Sequence, residues 1–243
     1  MKALATFCKG PMKDVWDLTR DNMRRYARRH GYAFIAPGCG GDSIDGFNPD
    51  EWSVETREKH PSWGKIDLVR KALLSGFKTV LWLDADVMIV DQSKDIVSEL
   101  HKDTELGYIN HHTNYIDWQI HPNAGVFVVR NPEIMDDVER YGRSTDHERA
   151  LKAWDQPGFL SVVGIDLDWR FKKRLPDDNV DPPWNPPKPY KMQELGHEWN
   201  YTRVDLRPLK EPLRFAHYSG MSNEQRVKSM KSHVIGRVQY ELT

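Results

Sequence analysis

The chain alternates short apolar runs with segments of helical periodicity, and this alternation predicts an α/β protein. Residues 80–83 are apolar at every position, which is typical of a strand buried on both faces within a largely parallel sheet. Apolar residues at helical spacing predict helices over 14–30, 62–75 and from 223 onward. Further strands are predicted over 3–8, 32–36, 106–110, 126–129 and 213–216.

The first strand, helix and second strand form a βαβ unit, which leaves a crevice at the carboxyl ends of its strands. Nucleotides commonly bind in such a crevice, but the chain has no G-x-G-x-x-G after its first strand, so a dinucleotide is not indicated. We expect Gly31 to end the first helix and Ser62 to cap the second. The segment 38–61 is rich in Gly, Asp and Pro and predicts a loop over the crevice, and the proline-rich segment 176–189 is a candidate wall of an acceptor site.

Two carboxylates, Asp84 and Asp86, interrupt a run of bulky apolar residues. Positions i and i+2 of extended backbone point to the same side, so both carboxylates should converge where the strand leaves the sheet. Two like charges in a poorly solvated place are costly unless a cation lies between them. We therefore interpret the pair as ligands of a hard divalent ion, Mg²⁺ or Mn²⁺, in preference to the alternative that they only end a strand and cap a turn.

Composition limits what this site can belong to. The 243 residues fit one large domain, and the 35 basic against 36 acidic residues give no sign of a nucleic-acid partner. The spacing of Cys8 and Cys39 matches neither a zinc site nor a disulfide framework, which predicts reduced thiols and a cytoplasmic protein. The apolar run at the start is too short for a signal peptide and no apolar run reaches 18 residues, so we expect neither a signal peptide nor a transmembrane segment. Nothing in the sequence indicates an oligomeric state.

Two further features are candidates for ligand contact. Lys65 lies in the first turn of the second helix, where it could reach a diphosphate in the crevice, although a lysine on a helix is ordinarily only solvated. The small residues Ala124 and Gly125 precede the strand at 126–129 and would allow a ligand to approach the backbone closely, with simple packing as the alternative.

Six short motifs follow one another in a recognisable order. They are Trp63-Gly64-Lys65, Leu81-Trp82-Leu83-Asp84-Ala85-Asp86, Asn123-Ala124-Gly125-Val126-Phe127, Asp155-Gln156, Trp199-Asn200-Tyr201 and His217-Tyr218-Ser219-Gly220. In this order they resemble the GT-A nucleotide-sugar glycosyltransferases, most closely the retaining families 8 and 34, the glycogenin-like and galactosyl/xylosyl groups. The resemblance covers about residues 1–220. It implies a Rossmann-like GT-A domain with a mixed, mainly parallel sheet, a nucleotide- and metal-binding half over 1–110 and an acceptor half over 111–243.

The resemblance also implies substrates and roles. The donor is expected to be a nucleotide-diphosphate sugar, with UDP as the nucleotide, and the acceptor a hydroxyl of a glycan or another molecule. Mn²⁺ or Mg²⁺ would be held by Asp84, Asp86 and His217. The residues expected near the transferred sugar are Asn123, Asp155 and Gln156, and those expected to bind the donor are Thr6, Lys65, Asp84, Ala85 and Gly220. Eukaryotic members of family 34 carry a membrane anchor, so its absence from this sequence favours a soluble bacterial or viral enzyme.

Two other classes remain open from the sequence. A metal-dependent phosphohydrolase also places Asp-x-Asp after a buried strand, but with Thr or Val two residues after the second Asp, where this chain has Met88. A non-catalytic module that binds sugar nucleotides or glycans would equally suit a chain with nine tryptophans.

Overall fold

The structure is a computed structural model that describes residues 1–8, 12–37, 43–44, 62–112, 120–144, 155–164, 188–202 and 212–241. The main sheet has seven strands in the order β3-β2-β1-β4-β7-β6-β8. These strands are β1 (Lys2–Ala5), β2 (Tyr32–Ala36), β3 (Ser43–Ile44), β4 (Thr79–Leu83), β6 (Leu106–His112), β7 (Ile120–Val129) and β8 (Met192–Glu194). The helices are α1 (Lys13–His30), α2 (Trp63–Leu74), α3 (Glu133–Ser144), α4 (Gln156–Val163) and α5 (Asn223–Glu241).

The strand directions confirm the predicted mixed, mainly parallel sheet. β1 pairs in parallel with β2 and β4, and β6 pairs in parallel with β8. The antiparallel strands are β3 at one edge and β7, which is inserted between β4 and β6. β4 lies in the middle, and all five of its residues are buried. Its apolar sequence follows from this position, because helices or other elements cover both faces.

Alternate strand residues pack into two cores. Ala3, Val80 and Trp82 face the core beneath α2, α3 and α4. Leu4 and Leu81 face the opposite core, which α1 covers. A third, smaller cluster joins α5 to α1 and to a separate two-stranded sheet of β5 (Val87–Ile89) and β9 (Phe215–His217).

The two aspartates lie in the turn between β4 and β5. The expectation of extended backbone at 84–86 was wrong, because the Val87 N–H donates to the Asp84 carbonyl at 3.0 Å and closes a turn. The apolar residues that resume after Asp86 belong to the small sheet, where Val87 pairs with His217. The turn therefore lies where the two sheets meet.

Most predicted elements are present with small shifts at their ends. Gly31 ends α1 in the left-handed conformation at φ 69°, as predicted. Ser62 precedes α2, but its side chain makes no capping hydrogen bond, so that part of the prediction was wrong. The predicted loops over 38–61 and 176–189 lie outside the described residues except for 43–44 and 188–189.

Cys8 corrects the expectation about the thiols. It is buried and disulfide-bonded instead of reduced, and Cys39, the other cysteine of the sequence, lies outside the described residues. Sequence spacing failed here because it carries no information on which positions the fold brings together. With Cys8 in a disulfide, the cysteines give no reason to expect a reducing, cytoplasmic compartment. Among the described helices, none combines the length and apolar character needed to cross a membrane.

Candidate metal and donor site

Asp84 is held by groups from β4, β7 and α2. Its backbone N–H donates to the carbonyl of Gly125 on β7 at 2.8 Å. Its Oδ1 accepts a hydrogen bond from Trp82 Nε1 at 2.7 Å and lies 3.0 Å from Lys65 Nζ. Oδ1 is thus fully engaged, and Oδ2 is the oxygen that remains for a ligand.

In Asp86 too, one carboxylate oxygen contacts a cation and the other faces His217. Oδ2 lies 2.9 Å from Nε of Arg226, a residue of α5, whereas Oδ1 lies 3.3 Å from Nε2 of His217. The carboxylate is buried, and burial alone would raise its pKa. His217 and Arg226 outweigh burial and lower the pKa of Asp86 to about 2, so the group is ionised at neutral pH.

His217 completes a group of three ligand atoms. Its Nε2 lies 3.3 Å from Asp86 Oδ1 and 3.9 Å from Asp84 Oδ2, and one ligand atom from each residue lies within 4.8 Å of the other two. An ion of the size of Mg²⁺ holds its ligands at about 2.1 Å, so neighbouring ligands are about 3 Å apart and opposite ligands about 4 Å. Both distances from His217 Nε2 to the aspartate oxygens fall in this range, which is compatible with a small six-coordinate ion.

The imidazole of His217 is oriented by two asparagines. The Gly125 N–H donates to Asn123 Oδ1 at 2.8 Å, and the same oxygen accepts from Asn200 Nδ2 at 3.1 Å. The Asn200 amide is thereby fixed with its Oδ1 toward His217 Nδ1, 2.9 Å away. An oxygen acceptor at Nδ1 assigns a proton to that nitrogen, so Nε2 is the nitrogen that faces the aspartates, where a bound metal would take its lone pair in place of a proton.

Gly125 leaves room for this imidazole. A Cβ at position 125 would lie 2.7 Å from His217 Nδ1 and closer still to Cε1, and 2.8 Å from Asn123 Oδ1. The group that approaches the backbone at Gly125 is thus the ring of His217, which is the packing alternative, and close approach of a ligand at Ala124 and Gly125 stays a prediction.

Lys65 connects the two halves of the site. Its buried ammonium donates to Asp155 Oδ2 at 2.8 Å and to the Ala124 carbonyl at 2.7 Å, and lies 3.0 Å from Asp84 Oδ1. Burial opposes the charge, but the two carboxylates outweigh it and raise the pKa of Lys65 above its usual value. The three acceptors match the three protons of the ammonium. The predicted contact with a diphosphate would therefore require Lys65 to give up one of these three acceptors.

Gln156 lies beside β7, in the first turn of α4. Its Oε1 accepts from the Ala124 N–H at 2.9 Å, and its Nε2 donates to the Pro122 carbonyl. The structure therefore brings Asn123, Asp155 and Gln156 together at the end of β7, next to the proposed metal ligands. Their roles at a sugar stay a prediction.

The remaining predicted donor residues follow strands β1, β4 and β9, and their contact with a donor stays a prediction. Thr6 follows β1, and its buried Oγ1 has no hydrogen-bond partner among the described residues. The Ala85 carbonyl accepts from Thr19 of α1 at 2.7 Å. Gly220 is in the left-handed conformation at φ 70°, which allows the chain to turn after His217.

Sequence reasoning missed two residues of the site. Asn200 was part of the Trp-Asn-Tyr motif but was given no role, although an amide near a metal-binding histidine is a usual orienting group. Arg226 gave no signal, because a single arginine on an amphipathic helix is ordinarily solvated.

No protein-family model and no curated protein sequence matches the chain. Its similarity to known proteins is therefore seen in their solved structures. A glycosyltransferase involved in glycosylation of the major capsid of PBCV-1 has a similar structure at 16% identity, with a TM-score of 0.61 over 95% of this chain and 98% of that chain. The chain has a glycosyltransferase fold. The galactosyltransferase LgtC, solved with donor and acceptor sugar analogs, also matches, at 11% identity and a TM-score of 0.50 over 96% of each chain.

These matches confirm the predicted GT-A architecture. At such low identity they establish the glycosyltransferase fold, and the reaction has to be inferred from the side chains of the site.

Proposed function

We propose that this protein is a metal-dependent glycosyltransferase. It transfers a hexose or pentose from a nucleotide-diphosphate sugar, with UDP as the nucleotide, to a hydroxyl of a glycan or another acceptor. The observation that carries the proposal is the convergence of Asp84 Oδ2, Asp86 Oδ1 and His217 Nε2 at the crevice end of β4, within a glycosyltransferase fold. The LgtC structure, which holds analogs of a sugar donor and a sugar acceptor, supports the substrate class.

The charges of the site support a divalent ion and a diphosphate. Three carboxylates, Asp84, Asp86 and Asp155, lie against two cations, Lys65 and Arg226, so the site has one net negative charge when His217 is neutral. A divalent cation would reverse the sign and attract a diphosphate. A histidine nitrogen beside carboxylate oxygens suits Mn²⁺ better than Mg²⁺, because imidazole prefers transition metals.

Each residue then has a task in the transfer. Bound to Asp84, Asp86 and His217, the ion would supply Lewis-acid stabilisation of the diphosphate as it leaves the anomeric carbon. Lys65 keeps Asp84 and Asp155 in fixed positions, so neither carboxylate has to reorganise when charge develops. Asp155 and Gln156 are the candidates to stabilise the cationic sugar. We further propose retention of configuration, with the acceptor hydroxyl attacking from the face that the diphosphate leaves.

Donor turnover tests this proposal. The protein is incubated with UDP-, GDP- and CDP-sugars, with Mn²⁺ or with a chelator, and release of the nucleoside diphosphate is measured. We expect slow hydrolysis of a UDP-sugar that requires Mn²⁺ and is lost in Asp84→Asn and Asp86→Asn. Asp103→Asn is the matched control, because Asp103 is an exposed carboxylate paired with Lys191 far from the site. Turnover in chelator, or a preference for GDP-sugars, would overturn the metal or the nucleotide assignment respectively.

A further inference from the structure

Arg226 is the one arginine among the described residues whose guanidinium is recorded in an ion pair with a proposed metal ligand. It lies on α5, where Val227 and Met230 pack into the cluster that joins this helix to α1 and the small sheet. Its Nε lies 2.9 Å from Asp86 Oδ2 and donates to the Tyr218 carbonyl at 3.1 Å, and its Nη1 donates to Asn223 Oδ1 at 3.0 Å. Helix packing and hydrogen bonds therefore hold the guanidinium against this one oxygen.

The other aspartate is restrained in an equivalent way. Trp82 and Lys65 occupy Asp84 Oδ1, while Oδ2 faces His217. Each carboxylate thus offers a single oxygen to the ligand group. At Asp84 the restraint comes from hydrogen-bond donors, whereas at Asp86 it comes from the charge and bulk of Arg226.

The number of oxygens that a carboxylate offers affects which ion it prefers. Ca²⁺ accepts six to eight ligands and often takes both oxygens of a carboxylate, whereas Mg²⁺ requires near-octahedral geometry at short distance. A guanidinium 2.9 Å from Asp86 Oδ2 repels any cation that approaches that oxygen. An ion that needs both oxygens of Asp86 is therefore disfavoured.

We propose that Arg226 is a positioning residue that restricts Asp86 to one-oxygen coordination and thereby selects a small six-coordinate ion, such as Mn²⁺, against Ca²⁺. This inference rests on the proposed metal site. If Arg226 acts in this way, its removal changes the ratio of the Mn²⁺ affinity to the Ca²⁺ affinity. Loss of a positive charge or of local rigidity alone would change both affinities by a similar factor and leave their ratio unchanged.

The test compares ion binding in the metal-free protein. Isothermal titration calorimetry measures the dissociation constants of Mn²⁺ and Ca²⁺ for the wild type, Arg226→Met and Arg226→Lys. The matched control is Lys228→Met, which removes the same charge from an exposed position of the same helix. Circular dichroism and thermal melting establish that each variant is folded, and Arg226→Lys retains a cation long enough to reach Asp86.

We expect the wild type to bind Mn²⁺ more tightly than Ca²⁺. Arg226→Met should shift the ratio toward Ca²⁺ on the order of ten-fold, the size of effect that outer-shell substitutions usually have. The Arg226→Lys and Lys228→Met variants should keep the wild-type ratio. An unchanged ratio in a folded Arg226→Met protein that still binds Mn²⁺ would overturn the inference, whereas a wild type that binds neither ion would overturn the proposed metal site itself.

Discussion

The ring of His217 occupies the space that a side chain at Gly125 would need, so a glycine on β7 determines where a histidine on β9 can lie. The two residues are 92 positions apart in the chain and belong to different sheets. Through this contact the main sheet positions the third proposed metal ligand.

The first prediction concerns this contact. Gly125→Ala should displace the imidazole and weaken Mn²⁺ binding by at least about ten-fold, as expected when a ligand loses its orientation. Calorimetry checks the affinity, and His217→Ala provides the control. In the His217→Ala background the Gly125→Ala change should have little further effect on Mn²⁺ affinity, because the ring it displaces is gone. Additive losses in the double variant would contradict the proposed contact.

The second prediction concerns the tautomer of His217. Asn200→Ala removes the acceptor at Nδ1, so the ring can rotate or place its proton on Nε2, and Mn²⁺ affinity should fall by about 10- to 100-fold. Asn131→Ala is a suitable control, since that amide also makes two hydrogen bonds but lies at the start of α3. Equal Mn²⁺ affinity in both variants would mean that Asn200 does not orient the ligand.

The third prediction concerns stability. Lys65→Met leaves two carboxylates, Asp84 and Asp155, without their shared cation, and breaking a buried pair in this way typically costs about 3–5 kcal/mol. Chemical denaturation of the metal-free protein measures the loss in the free energy of unfolding. The exposed Lys78→Met should cost about 0.5 kcal/mol or less. A loss below about 1 kcal/mol in Lys65→Met would show that the cluster is solvated.

The fourth prediction follows from the lowered pKa of Asp86. A carboxyl group whose pKa is about 2 in the folded state stabilises the protein above its ordinary pKa of about 4, and this contribution is lost as the pH falls through 2. The free energy of unfolding of the metal-free wild type should therefore fall more steeply between about pH 4 and pH 2 than that of Asp86→Asn. Parallel curves for the two proteins would contradict the ion pairs assigned to Asp86.

The sequence predicted those parts of the fold that depend on local pattern. The apolar residues of β4 and the amphipathic repeat of α1, ended by Gly31, marked their elements correctly. Asp84 and Asp86 were singled out because a charged pair after a buried strand needs a partner. The turn that brings them together was not predicted, because it depends on β5 leaving the main sheet to pair with β9.

The contacts around the ligands could not be predicted for a related reason. Arg226 reaches Asp86 only because α5 packs on α1 and the small sheet, and Gly125 meets His217 only because β7 lies beside β4. Such contacts join residues that are distant in sequence, and neither periodicity nor composition reports on them. The disulfide of Cys8 was missed on the same ground.

We propose that Asp84, Asp86 and His217 hold one divalent ion together. The most direct measurement is anomalous X-ray scattering at the manganese edge from crystals grown with Mn²⁺ and UDP. We expect a single anomalous peak about 2.0–2.6 Å from Asp84 Oδ2, Asp86 Oδ1 and His217 Nε2, with UDP oxygens on its open side. A UDP-bound crystal without an anomalous peak among these three atoms, or with the peak elsewhere, would contradict it.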